Sequence, residues 1–417
     1  MAAAAATVQS FGLVASTSRL DSSSPSPSPA SSRSMSISCG VAGSSHALVT
    51  RDNIRYGKNV GASSSLSSRR NGCWGRQCQL SFSKIQHTTS RCPTMIIFAQ
   101  ATEQSTTSNG KPQQTIAITG ATGFVGTKLV QRLVAAGHKV RVLTRSASKA
   151  RSIFPSKDFP GVEIAEQPDW AKYIQGTTGV VNLAGTPISG RWTDEIKKDI
   201  KVSRVTVTSK VVEAINAAPK DLQPSVFVSG TAVGFYGSTS ESSAFDESSP
   251  SGQDYLAEVC RDWEAEAQLL DKNVRLVRLR CGIVLDKGGG ALAQMVPLFQ
   301  FFAGGPLGSG RQWFSWVHRD DLVSLIMEAL VNPAYDGVIN GTAPNPVRFT
   351  ELCDRLGAVL GRPSWLPVPE FALKAILGEG ASVVLEGQRV LPKRAQELGF
   401  RFKYQYVTDA LKAILAS

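Results

Sequence analysis

Three glycines, each three residues from the next, carry the clearest chemistry in this 417-residue sequence. Residues 115–126 read Thr-Ile-Ala-Ile-Thr-Gly-Ala-Thr-Gly-Phe-Val-Gly: a short apolar run breaks into Gly120, Gly123 and Gly126, and a helical pattern follows. The first glycine permits a tight turn out of a buried strand. The second lets the backbone approach a pyrophosphate with no Cβ in the way. The third lets the next helix pack close to the strand, with its N-terminal N–H groups aimed at phosphates. Thr122, Phe124 and Val125 complete the turn. The stretch predicts a dinucleotide cradle. It is not a nucleoside-triphosphate loop, because Gly126 is followed by Thr127 and only then Lys128, not directly by Lys-Ser or Lys-Thr.

The next strand ends Val140-Arg-Val-Leu-Thr144-Arg145. An NAD-binding protein typically places an acid here for the ribose 2′-hydroxyl. This chain offers Thr144 and Arg145, with Lys149 and Arg151 close behind. A guanidinium clamps a 2′-phosphate with two parallel bonds, so NADP(H) is preferred over NAD(H). Asn182-Leu-Ala184-Gly185 follows another apolar strand, and Asn182, Ala184 and Gly185 are expected to line the cofactor groove. On the substrate side, Arg191-Trp192 sets a cation beside an aromatic. Residues 310–316 read Gly-Arg311-Gln-Trp313-Phe-Ser-Trp and are rich in anchoring groups. Arg191 and Arg311 suit an acidic or phosphorylated ligand, and each equally suits a surface or packing role. Tyr236 reads as core or pocket wall, and His318 as a structural hydrogen-bonder. Beyond residue 100 the cysteines are Cys260, Cys281 and Cys353, far apart, with only His138 and His318. No spacing suggests zinc or another metal, and a reducing compartment fits.

The elements that must position these residues alternate. Strands are expected at 115–119, 139–143, 179–185, 225–229 and 274–279. Helices are expected at 124–136, 195–217 and 254–270. This alternation predicts an α/β fold, a doubly wound parallel sheet of the Rossmann type, over residues 114–343. Gly361-Arg-Pro-Ser-Trp-Leu-Pro-Val-Pro369 is a rigid turn, and residues 344–417 read as a smaller C-terminal helical domain. Its last helix, about 407–415, puts Val407, Ala410, Leu411, Ile414 and Leu415 on one face. That face either docks on the core or serves as a weak anchor to an envelope membrane.

Several runs together make the chain recognisable. Thr119-Gly-Ala-Thr-Gly-Phe-Val-Gly126, Asn182-Leu-Ala-Gly185 and Gly234-Phe-Tyr-Gly237 resemble the extended short-chain dehydrogenase/reductase superfamily. Gly190-Arg-Trp192, Ser203-Arg204, Cys260-Arg-Asp-Trp-Glu264, Gly308-Ser-Gly-Arg-Gln-Trp313 and Gly387-Gln-Arg-Val-Leu-Pro-Lys393 narrow it. They are similar to its atypical epimerase-like branch with a small C-terminal domain. That branch includes plant plastid members associated with plastid division. The resemblance implies a Ser/Thr, a tyrosine and, four residues on, a lysine that lowers the tyrosine pKa. By position Thr231 is the hydroxyl, with Ser229 second, and Tyr255 is the tyrosine. Four residues past Tyr255 stands Val259. An unassisted phenol is ionised in roughly one molecule in a thousand at pH 7, and a ~3-unit pKa drop is worth about 4 kcal/mol. Two readings of Tyr255 therefore stand side by side, acid/base and packing aromatic. They correspond to an NADP(H)-dependent oxidoreductase or isomerase on a small substrate, and to a cofactor-binding scaffold in plastid division.

Residues 1–100 are a different material. They hold 23 serines and ten Lys or Arg against two acids, Asp21 and Asp52. Serine-rich, acid-poor N-termini are typical of organelle transit peptides, and the length and serine content favour the plastid. Residues 101–113 read as a polar linker. Of the formal charge of +12, the first hundred residues hold +8 and the rest +4. So the basic balance belongs to the leader and gives no reason to expect nucleic-acid binding.

Overall fold

Strands of β-branched residues followed by helices that bury one stripe build a seven-stranded parallel sheet, beside two small two-stranded ones. The computed structural model describes residues 112–239 and 243–416. The expected leader at 1–100, and the linker up to residue 111, lie outside the described residues. In chain order the elements begin β1 (Thr115–Thr119), α1 (Phe124–Ala135), β2 (Lys139–Thr144), α2 (Ala147–Ile153), β3 (Val162–Glu166), α3 (Trp170–Ile174), β4 (Gly179–Asn182) and α4 (Asp194–Asn216). They continue β5 (Val226–Ala232), α5 (Tyr255–Gln268), β6 (Arg275–Cys281), β7 (Ile283–Leu285), α6 (Gly290–Gln300), β8 (Trp313–Phe314), β9 (Trp316–His318), α7 (Arg319–Val331) and β10 (Gly337–Gly341). The C-terminal part adds β11 (Val347–Arg348), α8 (Phe349–Leu360), α9 (Glu370–Leu377), α10 (Ser382–Leu385), α11 (Lys393–Glu397) and α12 (Val407–Ala416).

The seven-stranded sheet has the order β10-β6-β5-β4-β1-β2-β3, parallel throughout. The winding reverses between β1 and β4. That switch point opens a crevice at the carboxyl ends of the strands, where doubly wound folds bind ligands. Alternation along the strands feeds two cores. Ile116, Ile118, Val181, Val226 and Val228 face α1 and α7. Ala117, Val180 and Phe227 face α3, α4 and α5.

Another core joins Leu285, Leu292, Phe299, Phe314 and Trp316 to Phe349, Leu352, Leu356, Leu373 and Leu377. It draws on residues from both sides of position 343, so the C-terminal helices share a core with the 283–316 region. Val407, Ala410, Leu411 and Ile414 of α12 are buried in it. The apolar face of the last helix is thus docked on this core. Among the described residues no helix is long and apolar enough to cross a membrane.

Candidate functional site

The crevice at the switch point is a cavity of about 190 Å³. Gly120, Thr122, Gly123, Thr144, Arg145, Ala184 and Gly185 line it, with Leu183, Thr186, Ser203 and Trp170. Gly120 sits at φ +68°, and a Cβ there would stand 2.5 Å from the Leu183 carbonyl. Gly126 lies against the incoming turn: its Cβ would be 2.3 Å from the Gly120 oxygen. The Gly123 N–H donates to the Gly120 carbonyl at 3.0 Å and closes the turn. No side chain caps the N-terminus of α1, and its first turn holds no acid. Its free N–H groups and positive dipole end therefore face the cavity. This donor set and close backbone approach fit a dinucleotide pyrophosphate.

At the far rim Arg145 is exposed, and no acid pairs with it among the described residues. The turn that carries it is fixed. Thr144 Oγ1 accepts from the Ser146 N–H at 3.1 Å, and Glu166 accepts from the Ala147 N–H at 2.7 Å. Asn182 does not line the cavity. Buried beneath it, its Oδ1 accepts from Thr119 Oγ1 at 2.5 Å and its Nδ2 donates to Thr208 Oγ1 at 2.8 Å. That carbonyl also takes the Ala184 N–H at 3.3 Å and so shapes the β4 turn. Phe124 packs its ring against Gly289 and Gly290 and under the Arg319 guanidinium, 5.0 Å from the ring centroid. Val125 is half-buried against the first core.

The residues expected to do chemistry are held in other ways. The Tyr255 hydroxyl donates to the Lys197 carbonyl, and its ring meets Trp192 edge-on at 5.4 Å. Burial raises its pKa above the ordinary phenol value. Val259 is buried with Trp192 and Ile200 in the same apolar cluster, where a lysine would bury an unpaired charge. Thr231 is buried too and donates to Glu264 at 3.2 Å. Neither side chain lines the cavity.

Thr231 belongs to a network that the sequence did not reveal. Arg280 grips Glu264 with two bonds of 2.7 and 2.8 Å. It also donates to the Tyr236 hydroxyl at 3.0 Å, and its guanidinium stacks 3.3 Å over Phe235. Tyr236 in turn donates to Asn340 at 2.7 Å. Burial pushes its phenol up to about 12, so Tyr236 stays protonated, packed with Val233 and Val390 in a buried cluster and lining no part of the cavity. The available signal was Arg278-Leu-Arg280: two cations two residues apart, on one face of a strand with apolar neighbours.

The remaining expected residues lie at the junction with the C-terminal helices. Arg191 donates to the Ala375 and Ile376 carbonyls at 3.0 and 3.3 Å, the end of α9. Trp192 is buried, with its indole N–H on the Ile188 carbonyl at 2.9 Å. Both are engaged in packing at this junction, and neither lines the cavity at the switch point. Arg311 is exposed, and Trp313 lies half-buried under the guanidinium groups of Arg348 and Arg389. His318 is a structural hydrogen-bonder: its Nδ1 caps α7 through the Asp320 N–H at 3.0 Å. Among the described residues no group of acids, histidines and cysteines is placed to hold a metal.

A parallel sheet with a glycine turn at its switch point defines a dinucleotide-binding protein of the short-chain dehydrogenase/reductase class. The chain belongs to the NAD dependent epimerase/dehydratase family, which matches residues 116–340. A domain of unknown function matches residues 368–414. The chain is 67% identical over 308 residues to the Arabidopsis thaliana "Epimerase family protein SDR39U1 homolog, chloroplastic", covering 74% of this chain and 88% of that one. It is 36% identical to the Bacillus subtilis "Epimerase family protein YfhF", over 72% of this chain and 98% of the relative. The crystal structure of human epimerase family protein SDR39U1 (isoform 2) with NADPH superposes with a TM-score of 0.66. It is 33% identical and covers 73% of this chain and 99% of its own.

Proposed function

We propose that the chain is an NADP(H)-binding, epimerase-like short-chain dehydrogenase/reductase of the chloroplast, an oxidoreductase or isomerase acting on a small substrate. The observation that carries this reading is the glycine cradle with Arg145 at the end of β2, an arginine that forms no ion pair with an acid among the described residues. The NADPH held by the human relative and the chloroplastic name of the plant relative support it. In this reading the Gly120–Gly126 turn and the α1 N-terminus hold the pyrophosphate, and Arg145 holds the 2′-phosphate. Asn182 keeps the β4 turn in place beneath. Bound NADP(H) would supply hydride exchange. The stroma is the expected compartment.

A second reading rests on a separate observation. Val259 stands where the resemblance puts a lysine, and the Tyr255 hydroxyl is spent on the Lys197 carbonyl. Both favour a cofactor-binding scaffold with weakened chemistry, serving plastid division. Replacing Tyr255 by Phe separates the two, since only the enzyme reading requires a loss of turnover.

Fluorescence titration of the reduced nicotinamide tests the cofactor assignment. A charge-assisted pair is worth about 1.5–3 kcal/mol, so Arg145→Ala should weaken NADPH about 10–100-fold and leave NADH nearly unchanged. Equal losses for both cofactors would contradict the role given to Arg145.

A further inference from the structure

Ser203-Arg204, a run that marks the resemblance, clamps one residue in the wall of the cofactor crevice. The Gly185–Thr186 turn after β4 lines the cavity, and so does Ser203 on α4. Ser203 Oγ accepts from the Thr186 N–H at 3.1 Å and donates to the Ile200 carbonyl at 3.2 Å. Arg204 donates to the Thr186 carbonyl and to the Ile200 carbonyl, each at 2.9 Å. Both backbone polar groups of Thr186 are thus held by two consecutive side chains of α4. The guanidinium also lies flat against Gly185, where a Cβ would stand 3.2 Å from its central carbon. The last glycine of Asn182-Leu-Ala-Gly185 thereby gains a physical role, since it leaves room for this arginine.

Arg204 is fixed in place while its charge stays uncompensated. Its guanidinium lies 5.4 Å from the Trp263 ring centroid, and the Trp263 N–H donates to Thr208 Oγ1 at 2.8 Å. Thr208 also receives Asn182 Nδ2, so the clamp is joined to the side chain that shapes the β4 turn. Three acids of α5 are engaged by other cations: Glu258 and Asp262 by Lys201, and Glu264 by Arg280. No ion pair to an acid engages Arg204 among the described residues. Burial lowers its pKa from the usual arginine value. An arginine nonetheless stays charged, and a half-buried charge without a counter-ion costs stability. The β4 turn meets the glycine turn directly. The Leu183 N–H donates to the Thr119 carbonyl at 3.1 Å, and a Cβ at Gly120 would stand 2.8 Å from the Ala184 nitrogen. A pyrophosphate on the glycine turn would therefore bring the missing negative charge to this wall.

We propose that Arg204 is a positioning residue of the dinucleotide site: with Ser203 it holds the Gly185–Thr186 wall against the cofactor, and the bound pyrophosphate offsets its charge. The proposal rests on the cofactor reading of the preceding subsection, and it extends that reading to a residue behind the cavity wall. The two arginines then have separate parts. Arg145 serves the 2′-phosphate, which only NADP(H) carries. Arg204 serves the portion that NADP(H) and NAD(H) share.

The test is fluorescence titration of the full chain with NADPH and with NADH, paired with the melting temperature of each variant without cofactor. Arg204→Gln should weaken both cofactors at least about 10-fold. Its melting temperature without cofactor should stay within about 2 °C of the wild type or rise, because removing the uncompensated charge offsets the lost bonds. Arg204→Lys keeps the charge and is the safer variant for folding. It should bind between the wild type and Arg204→Gln, because an ammonium is a point donor that cannot span both carbonyls. Ser203→Ala leaves the arginine and removes the acceptor for the Thr186 N–H. Combined with Arg204→Gln it should lose less than the product of the two single effects, since both side chains hold one residue. Unchanged affinity together with a lowered melting temperature would make Arg204 a structural residue only and overturn the proposal. A loss confined to NADPH would overturn it as well. A wild-type chain that binds neither cofactor would instead contradict the cofactor reading itself, so the two failures are distinguishable.

Discussion

At position 126 a single methyl group decides whether the cradle exists. A Cβ there would stand 2.3 Å from the Gly120 oxygen and 2.7 Å from the Ala121 Cα, both backbone atoms that cannot swing aside. Gly126→Ala should therefore cost about 1–3 kcal/mol of stability by overpacking and abolish NADPH-induced stabilisation. Thermal melts of the variant with and without NADPH check both effects. A variant that melts like the wild type and still responds to NADPH would show that the turn can relax. The same scale separates what the sequence disclosed from what it hid. Gly120, Gly123, Thr144 and Arg145 were legible because each has a local cause: a turn, a helix start or a strand end. Tyr255 was not. Its fate is set by the Lys197 carbonyl and Trp192, some sixty residues earlier in the chain, and no local pattern announces such contacts.

Elements show the same division. β1, β4 and β5 were readable as β-branched apolar runs because both faces of these strands are buried, and β2 and β6 were readable although Arg141, Arg278 and Arg280 interrupt their apolar residues. β3 (Val162–Glu166) and β10 (Gly337–Gly341) were not. They are the sheet's edge strands, short and interrupted by Glu163, Glu166 or Asn340, and pairing with β2 and β6 makes them strands. The Glu264–Arg280 pair links α5 to β6 with both side chains almost fully buried. Removing one charge strands the other, so Glu264→Gln should cost about 3–5 kcal/mol, read as a lower urea midpoint at unchanged slope. A loss below about 1 kcal/mol would mean that the amide replaces the carboxylate in the network. At the start of α7, burial lowers the His318 pKa to about 4, although Asp320 and Asp286 oppose the shift and Lys403 and Arg319 reinforce it. The unfolded chain protonates this ring near pH 6.5, before the folded chain does. Folding is thus supported in full above that pH, and the support is lost as pH falls from about 6.5 toward 4. His318→Asn keeps an acceptor for the Asp320 N–H and should flatten melting temperature against pH in that window. An unchanged slope would assign the acid sensitivity to other groups.

Taken whole, the molecule places binding and chemistry on different footings. The sheet, its switch point and the glycine turn form one consistent dinucleotide site. The groups that relatives would use for proton transfer are folded into the surrounding structure: Tyr255 into an apolar cluster, Thr231 into the buried network around Glu264. The C-terminal helices were legible as helices from their periodicity. Their partners were not, because α8, α9 and α12 complete a core begun by residues 285–316, and that pairing is a product of tertiary packing. The central claim is that this chain is built to hold NADP(H). Its most direct test is a melting series of the full chain with NADPH, with NADH and with neither. A ligand at 100 times its Kd stabilises by about 2.7 kcal/mol, so NADPH should raise the melting temperature by roughly 5 °C and NADH, at the same concentration, by clearly less. No shift with either cofactor, or a larger shift with NADH, would contradict the account.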